Sequence, residues 1–321
     1  MVSVGVVGAT GLVGETMIEV LQDRSFPVGS FHPFASGRSE GKTVRCPGGE
    51  YPVEIITPGR ISKGMFLFGA TSASVAREWV PMARKAGAVV VDNSSAYRMD
   101  PDVPLVVPEV NADAIKGTET LIANPNCSTI QLVVALGPLQ ELGSLEWVSV
   151  ATYQAVSGAG SSAVHELEMQ QAGKAPASRS FRIHGNVITS IGEPDDDGFC
   201  MEERKLMLET RKILGTDIPV YASTARVAVR TGHTEAVTAV FRHPVDIGKA
   251  RELLSAAPGL VMAEHGTGPV DVEGRDEVFV DRLRKCPDDP RALQFWVLAD
   301  NLRKGAALNA VQIAEEYLKR A

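Results

Sequence analysis

The chain has 321 residues, of which 44% are hydrophobic and 22% charged, and carries a net charge of -7 at neutral pH. That is room for two domains with sizeable cores, and the acidic balance gives no reason to expect nucleic acid or an anionic membrane as a partner. Four cysteines, at 46, 127, 200 and 286, show neither metal-ligand nor disulfide spacing,, no apolar run reaches the length of a membrane helix, and no leader-like segment precedes the first strand, so a cytoplasmic protein without a metal is expected.

Val2 to Val7 is an apolar, β-branched run of the kind a buried parallel strand requires,. Gly8-Ala9-Thr10-Gly11-Leu12-Val13-Gly14 follows, and then an amphipathic helix from about Glu15 to Gln22. Strand, glycine-rich turn and helix in that order form a dinucleotide-binding unit, in which the glycines let backbone approach a pyrophosphate at the helix N-terminus. Such a trio also occurs in ordinary tight turns; its place directly after the first strand favours the nucleotide. The second strand ends near Phe31 to Ala35, where an NAD enzyme places an acidic residue against the ribose. Here the chain reads Ser36-Gly37-Arg38-Ser39, with no carboxylate before Glu40. Hydroxyls and a guanidinium suit a 2′-phosphate, so NADP is expected rather than NAD. Strand 64–70, helix 74–86 and strand 88–91 extend a doubly wound parallel sheet to about residue 126,.

Asn124-Pro125-Asn126-Cys127-Ser128-Thr129 joins an extended loop to a helix expected over 130–142. Pro125 keeps Asn124 out of the helical region, and Ser128 or Thr129 is the expected cap. A cysteine at a helix N-terminus is biased towards thiolate, the nucleophilic form. A free cysteine is otherwise most often a small buried hydrophobe. Beyond it, strands are expected over 146–153, 220–229, 234–242, 276–284 and 292–299, forming a largely antiparallel second sheet,. The stretch 169–200 is glycine-, proline- and charge-rich and reads as a lid, a dimer contact or a surface connection. Residues 305–319 form an amphipathic helix suited to docking on a domain surface. The expected fold is α/β: a Rossmann domain over 1–126, completed by helix 303–321 packing back on it, and an α+β domain over 127–302.

In order along the chain stand Gly8 to Gly14, Asn93-Ser94-Ser95-Ala96-Tyr97-Arg98, the hexapeptide around Cys127, Gln154 with Ser157-Gly158-Ala159-Gly160, Glu202-Glu203-Arg204-Lys205, Arg226 to His233, and Asp300 to Ala307. Together these resemble the aspartate-β-semialdehyde dehydrogenase family, nearly end to end. One departure is Ala228, where the family commonly has proline in the strand after its substrate arginine. The resemblance implies NADPH-dependent reductive dephosphorylation of L-4-aspartyl phosphate to L-aspartate 4-semialdehyde through a cysteine thioester, a step towards lysine (through diaminopimelate), methionine and threonine. It implies Cys127, His233 and Gln154 as catalytic residues, and Arg98, Asn126, Glu202, Lys205 and Arg226 as substrate and phosphate ligands. It implies Gly8, Thr10, Gly11, Leu12, Val13, Ser36, Arg38, Ser39, Ser72, Ser157, Gly158 and Asn301 around the cofactor. A homodimer or homotetramer is implied, with the dimer interface on the second sheet.

Elementary chemistry bears on these assignments. Glu202 and Lys205 stand three apart on a helix expected over 201–214 and share a face, which also describes an ordinary intrahelical ion pair. Arg226 and His233 would lie about 23 Å apart on a straight strand, and on opposite faces. Both reach one small substrate only if the chain bends near Thr231-Gly232. His233 is taken with a pKa of about 6.5, able to exchange a proton near neutral pH. Two other readings stand beside this one. A related acyl-phosphate or acyl-CoA reductase, such as N-acetyl-γ-glutamyl-phosphate reductase, would have less use for the Glu202 carboxylate, and tends to have glycine at the place of Asn126. A catalytically silent nucleotide-binding paralogue would have lost Cys127, Gln154, Arg226 or His233, all of which are present.

Overall fold

The computed structural model describes residues 1–39, 41–46, 48–174 and 182–321. Glu40, and residues 175–181 of the 169–200 stretch, lie outside the described residues. Two compact units result, Met1–Asn126 with Ala306–Ala321, and Cys127–Gly305.

The first unit runs β1 (Val2–Val7), α1 (Leu12–Asp23), β2 (Val28–Phe34), a hairpin of β3 (Thr43–Cys46) and β4 (Gly49–Pro52), β5 (Phe66–Gly69), α2 (Ala73–Lys85), β6 (Val89–Asp92), the short α3 (Pro108–Asn111) and β7 (Leu121–Ala123). The sheet has the order β2-β1-β5-β6-β7 with every neighbour parallel. Strand order reverses direction beside β1, so the turn leaving its carboxyl end opens a crevice. β5 and β6 are buried at every residue, which explains their continuous apolar runs. Met17, Ile18 and Leu21 of α1 share one core with Phe66, Phe68 and the C-terminal helix residues Val311, Ile313 and Tyr317. Tyr317 meets Phe66 edge-to-face at 5.5 Å. Arg24 closes this packing with a two-pronged contact to Glu315, at 2.8 and 2.6 Å. The C-terminal helix is thus part of the first unit's core.

The second unit runs α4 (Cys127–Leu139), β8 (Leu145–Gln154), α5 (Ser161–Gln171), β9 (Val187–Ile188), α6 (Met201–Leu214), β10 (Val220–Val227), β11 (His233–Phe241), α7 (Ile247–Ala256), β12 (Leu260–Met262), α8 (Pro269–Val272), β13 (Val278–Lys285) and β14 (Ala292–Ala299). A π-helical turn, Arg303–Ala307, then leads into the C-terminal helix, α9 (Leu308–Arg320). The sheet order is β12-β13-β14-β11-β8-β10-β9. β8 with β10 and β12 with β13 run parallel, the remaining neighbours antiparallel. The sheet is therefore mixed, because α6 and the long connection after β8 return the chain in the direction of β8 before β10 begins. α4 and α6 cover one face. The other leaves Tyr153 and Tyr221 exposed, with Trp147 edge-on to Tyr221 at 6.0 Å and Tyr153 beside Trp296 at 5.8 Å.

Two local expectations change. The helix after the hexapeptide begins at Cys127, not at Ile130. Ser128 and Thr129 therefore lie inside its first turn, fully buried, and do not cap it. Pro125 restrains only the residue before it, so nothing delays the helix beyond Asn126. The final helix, by contrast, starts at Leu308, three residues after the expected 305, the π turn taking 303–307. No helix among the described residues is long and apolar enough to cross a membrane.

Candidate active site

Cys127 is the first residue of α4, and its Sγ lies 3.2 Å from His233 Nε2. His233 opens β11 and has no exposed surface. Its Nδ1 accepts the backbone N–H of Ala155 at 3.1 Å. A backbone N–H can only donate, so the neutral ring must carry its proton on Nε2, facing the sulfur. Burial, and then the Arg226 charge, depress the imidazole pKa to about 3 against a smaller opposing effect of Glu202. This corrects the expected titration near 6.5. A ring sealed from water, with a cation nearby and one nitrogen already occupied by a donor, does not take up a second proton at neutral pH.

Arg226 Nη1 donates to the carbonyl of the same Ala155 at 2.6 Å. Thus the residue after β8 is held by its N–H and its C=O, from β11 on one side and β10 on the other. The registers place Arg226 opposite Gln154 and Thr234 opposite Tyr153. The chain between Arg226 and His233 crosses the end of β8 and does bend at Gly232, whose φ is +94°. A Cβ there would stand 2.8 Å from the Pro269 carbonyl oxygen, so both conformation and space call for glycine. Gly158 packs against the same pair, a Cβ on it falling 3.1 Å from Arg226 Nη1 and 3.2 Å from the His233 ring.

Gln154 is buried, its Nε2 3.3 Å from both Thr152 Oγ1 and Glu202 Oε1. Lys205 Nζ bonds Glu202 Oε2 at 2.8 Å, so the intrahelical pair exists, and Gln154 extends it into a chain of three. Glu203 fastens that helix: it accepts the N–H of Cys200 at 2.9 Å and that of Thr224 on β10 at 3.1 Å, a role that its place in the sequence does not reveal. Asn301 Nδ2 donates to Ser157 Oγ at 2.8 Å while Oδ1 accepts the Gly232 N–H at 2.9 Å. It therefore ties the loop after β8 to the bend before His233.

In the first unit a cavity of about 810 Å³ opens at the turn after β1. Gly8, Thr10, Gly11, Ser36, Arg38 and Ser39 line it. Leu12 and Val13 instead start α1, and Ser72 precedes α2, none of them on the cavity wall. A Cβ on Gly8 would stand 2.3 Å from the Ala70 carbonyl oxygen, and one on Gly14 2.1 Å from that of Gly8. Gly11 is open to 3.5 Å, the position at which a ligand backbone can approach. Ser39 is buried and its hydroxyl pairs with Thr10 at 3.0 Å, whereas Arg38 is exposed at the cavity wall. Lys42 also lines the wall. It is a further member of the site beyond those expected, and a second cation four residues after Arg38 is its signal in the sequence. The donor set fits a phosphorylated nucleotide. Arg98 is buried, its Nε bonding the Asn124 carbonyl at 2.9 Å and its Nη2 that of Asn93 at 2.6 Å. Asn126 is buried at the end of the same unit.

Residues 3–118 match the NAD-binding domain of the semialdehyde dehydrogenases, and residues 136–304 match their dimerisation domain. An aspartate-semialdehyde dehydrogenase of Aquifex aeolicus is 45% identical over 98% of both chains. The chain belongs to the aspartate-semialdehyde dehydrogenase family. Among solved structures, aspartate semialdehyde dehydrogenase II of Vibrio cholerae, complexed with ASA, superposes with a TM-score of 0.95 at 40% identity, covering 99% of this chain and 98% of that one. The enzyme of Candida albicans, solved with NADP, reaches 0.78 at 26% identity, covering 100% of this chain and 99% of the other. Family membership accounts for the order of units: a parallel-sheet nucleotide domain, then a mixed sheet beginning at the cysteine.

Proposed function

We propose that this protein is a cytoplasmic aspartate-semialdehyde dehydrogenase of amino-acid biosynthesis, converting L-4-aspartyl phosphate and NADPH to L-aspartate 4-semialdehyde, NADP and inorganic phosphate. The observation that carries the reading is Cys127 Sγ at 3.2 Å from the protonated nitrogen of a buried, neutral imidazole. Such a pair does not pass a proton from thiol to imidazole. Instead the thiol, at the N-terminus of α4 where thiolate is favoured, gives its proton to solvent, and Nε2–H donates to the resulting thiolate, which attacks the acyl carbon. The acyl C–O bond breaks, phosphate leaves and takes up a solvent proton, and the acyl group remains on Sγ. When bound, a reduced nicotinamide supplies hydride to that thioester carbon. His233 Nε2–H, aimed at the sulfur, is also near the oxygen that gains negative charge on the carbon bonded to it. Collapse of that oxyanion returns the thiolate to its hydrogen bond.

The remaining assignments follow the local charges. Arg226, anchored on Ala155, is the ligand for the substrate α-carboxylate. Glu202 takes the substrate ammonium, and Gln154 orients the acyl group beside it. Lys205, Arg98 and Asn126 bind phosphate. Gly8, Thr10, Gly11, Leu12, Val13 and Ser72 serve the dinucleotide backbone, and Ser157, Gly158 and Asn301 its nicotinamide end. Ser36, Arg38, Ser39 and Lys42 favour NADP over NAD. Domain limits of 1–126 with 303–321, and 127–302, are assigned to nucleotide binding and to catalysis. The aromatic sheet face bearing Tyr153 and Tyr221 is the homodimer interface, with a tetramer as the higher assembly.

The test mixes aspartyl phosphate with enzyme in the absence of cofactor. About one phosphate per active site should be released and an acyl adduct on Cys127 should appear in the intact mass, as covalent catalysis requires. Absence of both, with steady turnover when NADPH is added, would remove the thioester from the mechanism.

A further inference from the structure

Glu235 stands two residues after His233 on β11, on the same face of the strand and about 7 Å along it, and has no exposed surface. The catalytic reading has no use for it. Its register partners are Thr152 on β8 and Val297 on β14. From α4 the groups facing it are Gln131 and Ser128, and Ser128 is the neighbour of Cys127. None of these carries a charge, and the nearest titratable group on its own strand, His233, is neutral. A carboxylate is expensive in such surroundings, and burial pushes the Glu235 carboxyl well above the usual carboxylate range, against smaller opposing effects of Gln131 and Ser128.

The acceptor left over on Gln131 favours the acid,. Gln131 Nε2 donates to the Val297 carbonyl at 3.4 Å, which leaves Gln131 Oε1 buried without a partner at good geometry, as are both oxygens of Glu235. A carboxylate offers acceptors only and cannot serve an amide oxygen. A carboxylic acid has one O–H for Gln131 Oε1 and one carbonyl oxygen for the Ser128 hydroxyl. We propose that Glu235 is a positioning residue for the reaction: as an acid it donates to Gln131 Oε1 and accepts from Ser128 Oγ, clamping the first turn of α4 so that Cys127 Sγ meets His233 Nε2. Its lack of charge also withholds from His233 the counter-ion that would favour imidazolium.

This rests on the cysteine chemistry proposed above, and the experiment separates the two. Full-length Glu235→Gln, Glu235→Ala and Ser128→Ala are compared with the unaltered enzyme for kcat and KM in the reverse direction, and for alkylation of Cys127 by iodoacetamide without substrates. An amide in place of the acid keeps one donor and one acceptor, so Glu235→Gln should stay within about threefold of the unaltered protein in kcat and alkylation rate. Glu235→Ala should lose about tenfold or more in kcat, with KM little changed, and should alter the alkylation rate by a similar factor. Ser128→Ala should shift alkylation in the same direction, which keeps the test alive if Glu235→Ala does not fold. A Glu235→Gln protein that folds but is as impaired as Glu235→Ala would show that charge is required and overturn the proposal. So would alkylation rates unchanged in both Glu235→Ala and Ser128→Ala. If the unaltered enzyme alkylates but does not oxidise aspartate semialdehyde, the functional reading fails while the alkylation series still reports on the clamp.

Discussion

The turn after β1 offers a ligand mostly backbone, whereas the ends of β8, β10 and β11 offer buried side chains that hold one another. In the first region Gly8 and Gly14 admit no Cβ, and the charged groups, Arg38 and Lys42, stand at the cavity wall. In the second, His233, Glu202, Gln154 and Glu235 are all buried, and the His233 and Glu235 environments displace their proton affinities in opposite directions. A nucleotide site built on backbone tolerates water and binds by shape. A catalytic site built on side chains needs water removed, because a neutral imidazole facing a sulfur depends on burial. The two regions should therefore fail differently when altered.

The largest effect is expected at Cys127. Cys127→Ser should abolish turnover, since an alcohol is far less ionised than a thiol, and should leave nucleotide affinity unchanged when measured by titration calorimetry. Retained turnover would end the nucleophile assignment. Next, His233→Ala should lower kcat by about two to three powers of ten, the usual cost of removing a donor to a developing oxyanion. Because the ring's pKa is about 3, the kcat profile should show no limb near pH 6.5 that disappears with this substitution. A second consequence concerns stability. Between the folded pKa of about 3 and the unfolded value near 6.5, the unfolded chain binds a proton that the native one does not,. Stability from this group is therefore complete above about pH 6.5 and falls as pH drops towards 3. Thermal melts of His233→Ala should show a shallower acid decline than the unaltered protein, and an equal decline would mean that the ring is not held neutral.

Third, Gly14→Ala should weaken nucleotide binding and destabilise the first unit by about 1–3 kcal/mol, because its Cβ meets backbone that cannot swing aside,. Calorimetric melts check this, and an unchanged Tm would show that the turn yields. The anion sites give a smaller, more selective contrast. Arg226→Lys should raise the KM for aspartate semialdehyde and Lys205→Ala that for phosphate, since lysine cannot reproduce a forked contact. Both variants affecting one ligand alone would mean that the two cations share a site. The smallest effect belongs to the exposed group. Arg38→Ala should weaken NADP by about tenfold to a hundredfold, with NAD little changed. Equal losses for both nucleotides would assign Arg38 to the fold.

Much of this was legible in one dimension because the physical signals are local. The glycines of the β1 turn, the apolar runs of β5 and β6 and the Asn-Pro-Asn-Cys junction each act within a few residues. Even the bend between Arg226 and His233 could be required from strand geometry and Gly232 alone. What proved illegible was pairing. α5 and the β3–β4 hairpin carry weak periodicity of their own, and α5 is tied in place from a distance, Gln170 Oε1 accepting the N–H groups of Ile183 and His184. The helix start at Cys127 escaped because a serine next to a proline-containing loop looks like a cap until the first turn is seen to be buried.

The order of residues by itself determined the family, the two kinds of sheet and the chemical types at the site, since strand period, glycine placement and nucleophile setting are written in neighbouring residues. Only the tertiary structure decided the protonation state of His233, the double grip on Ala155 and the isolation of Glu235. Those depend on removal of water and on donors arriving from distant strands, and neither solvent exclusion nor the direction of an N–H is a property of the residue that experiences it.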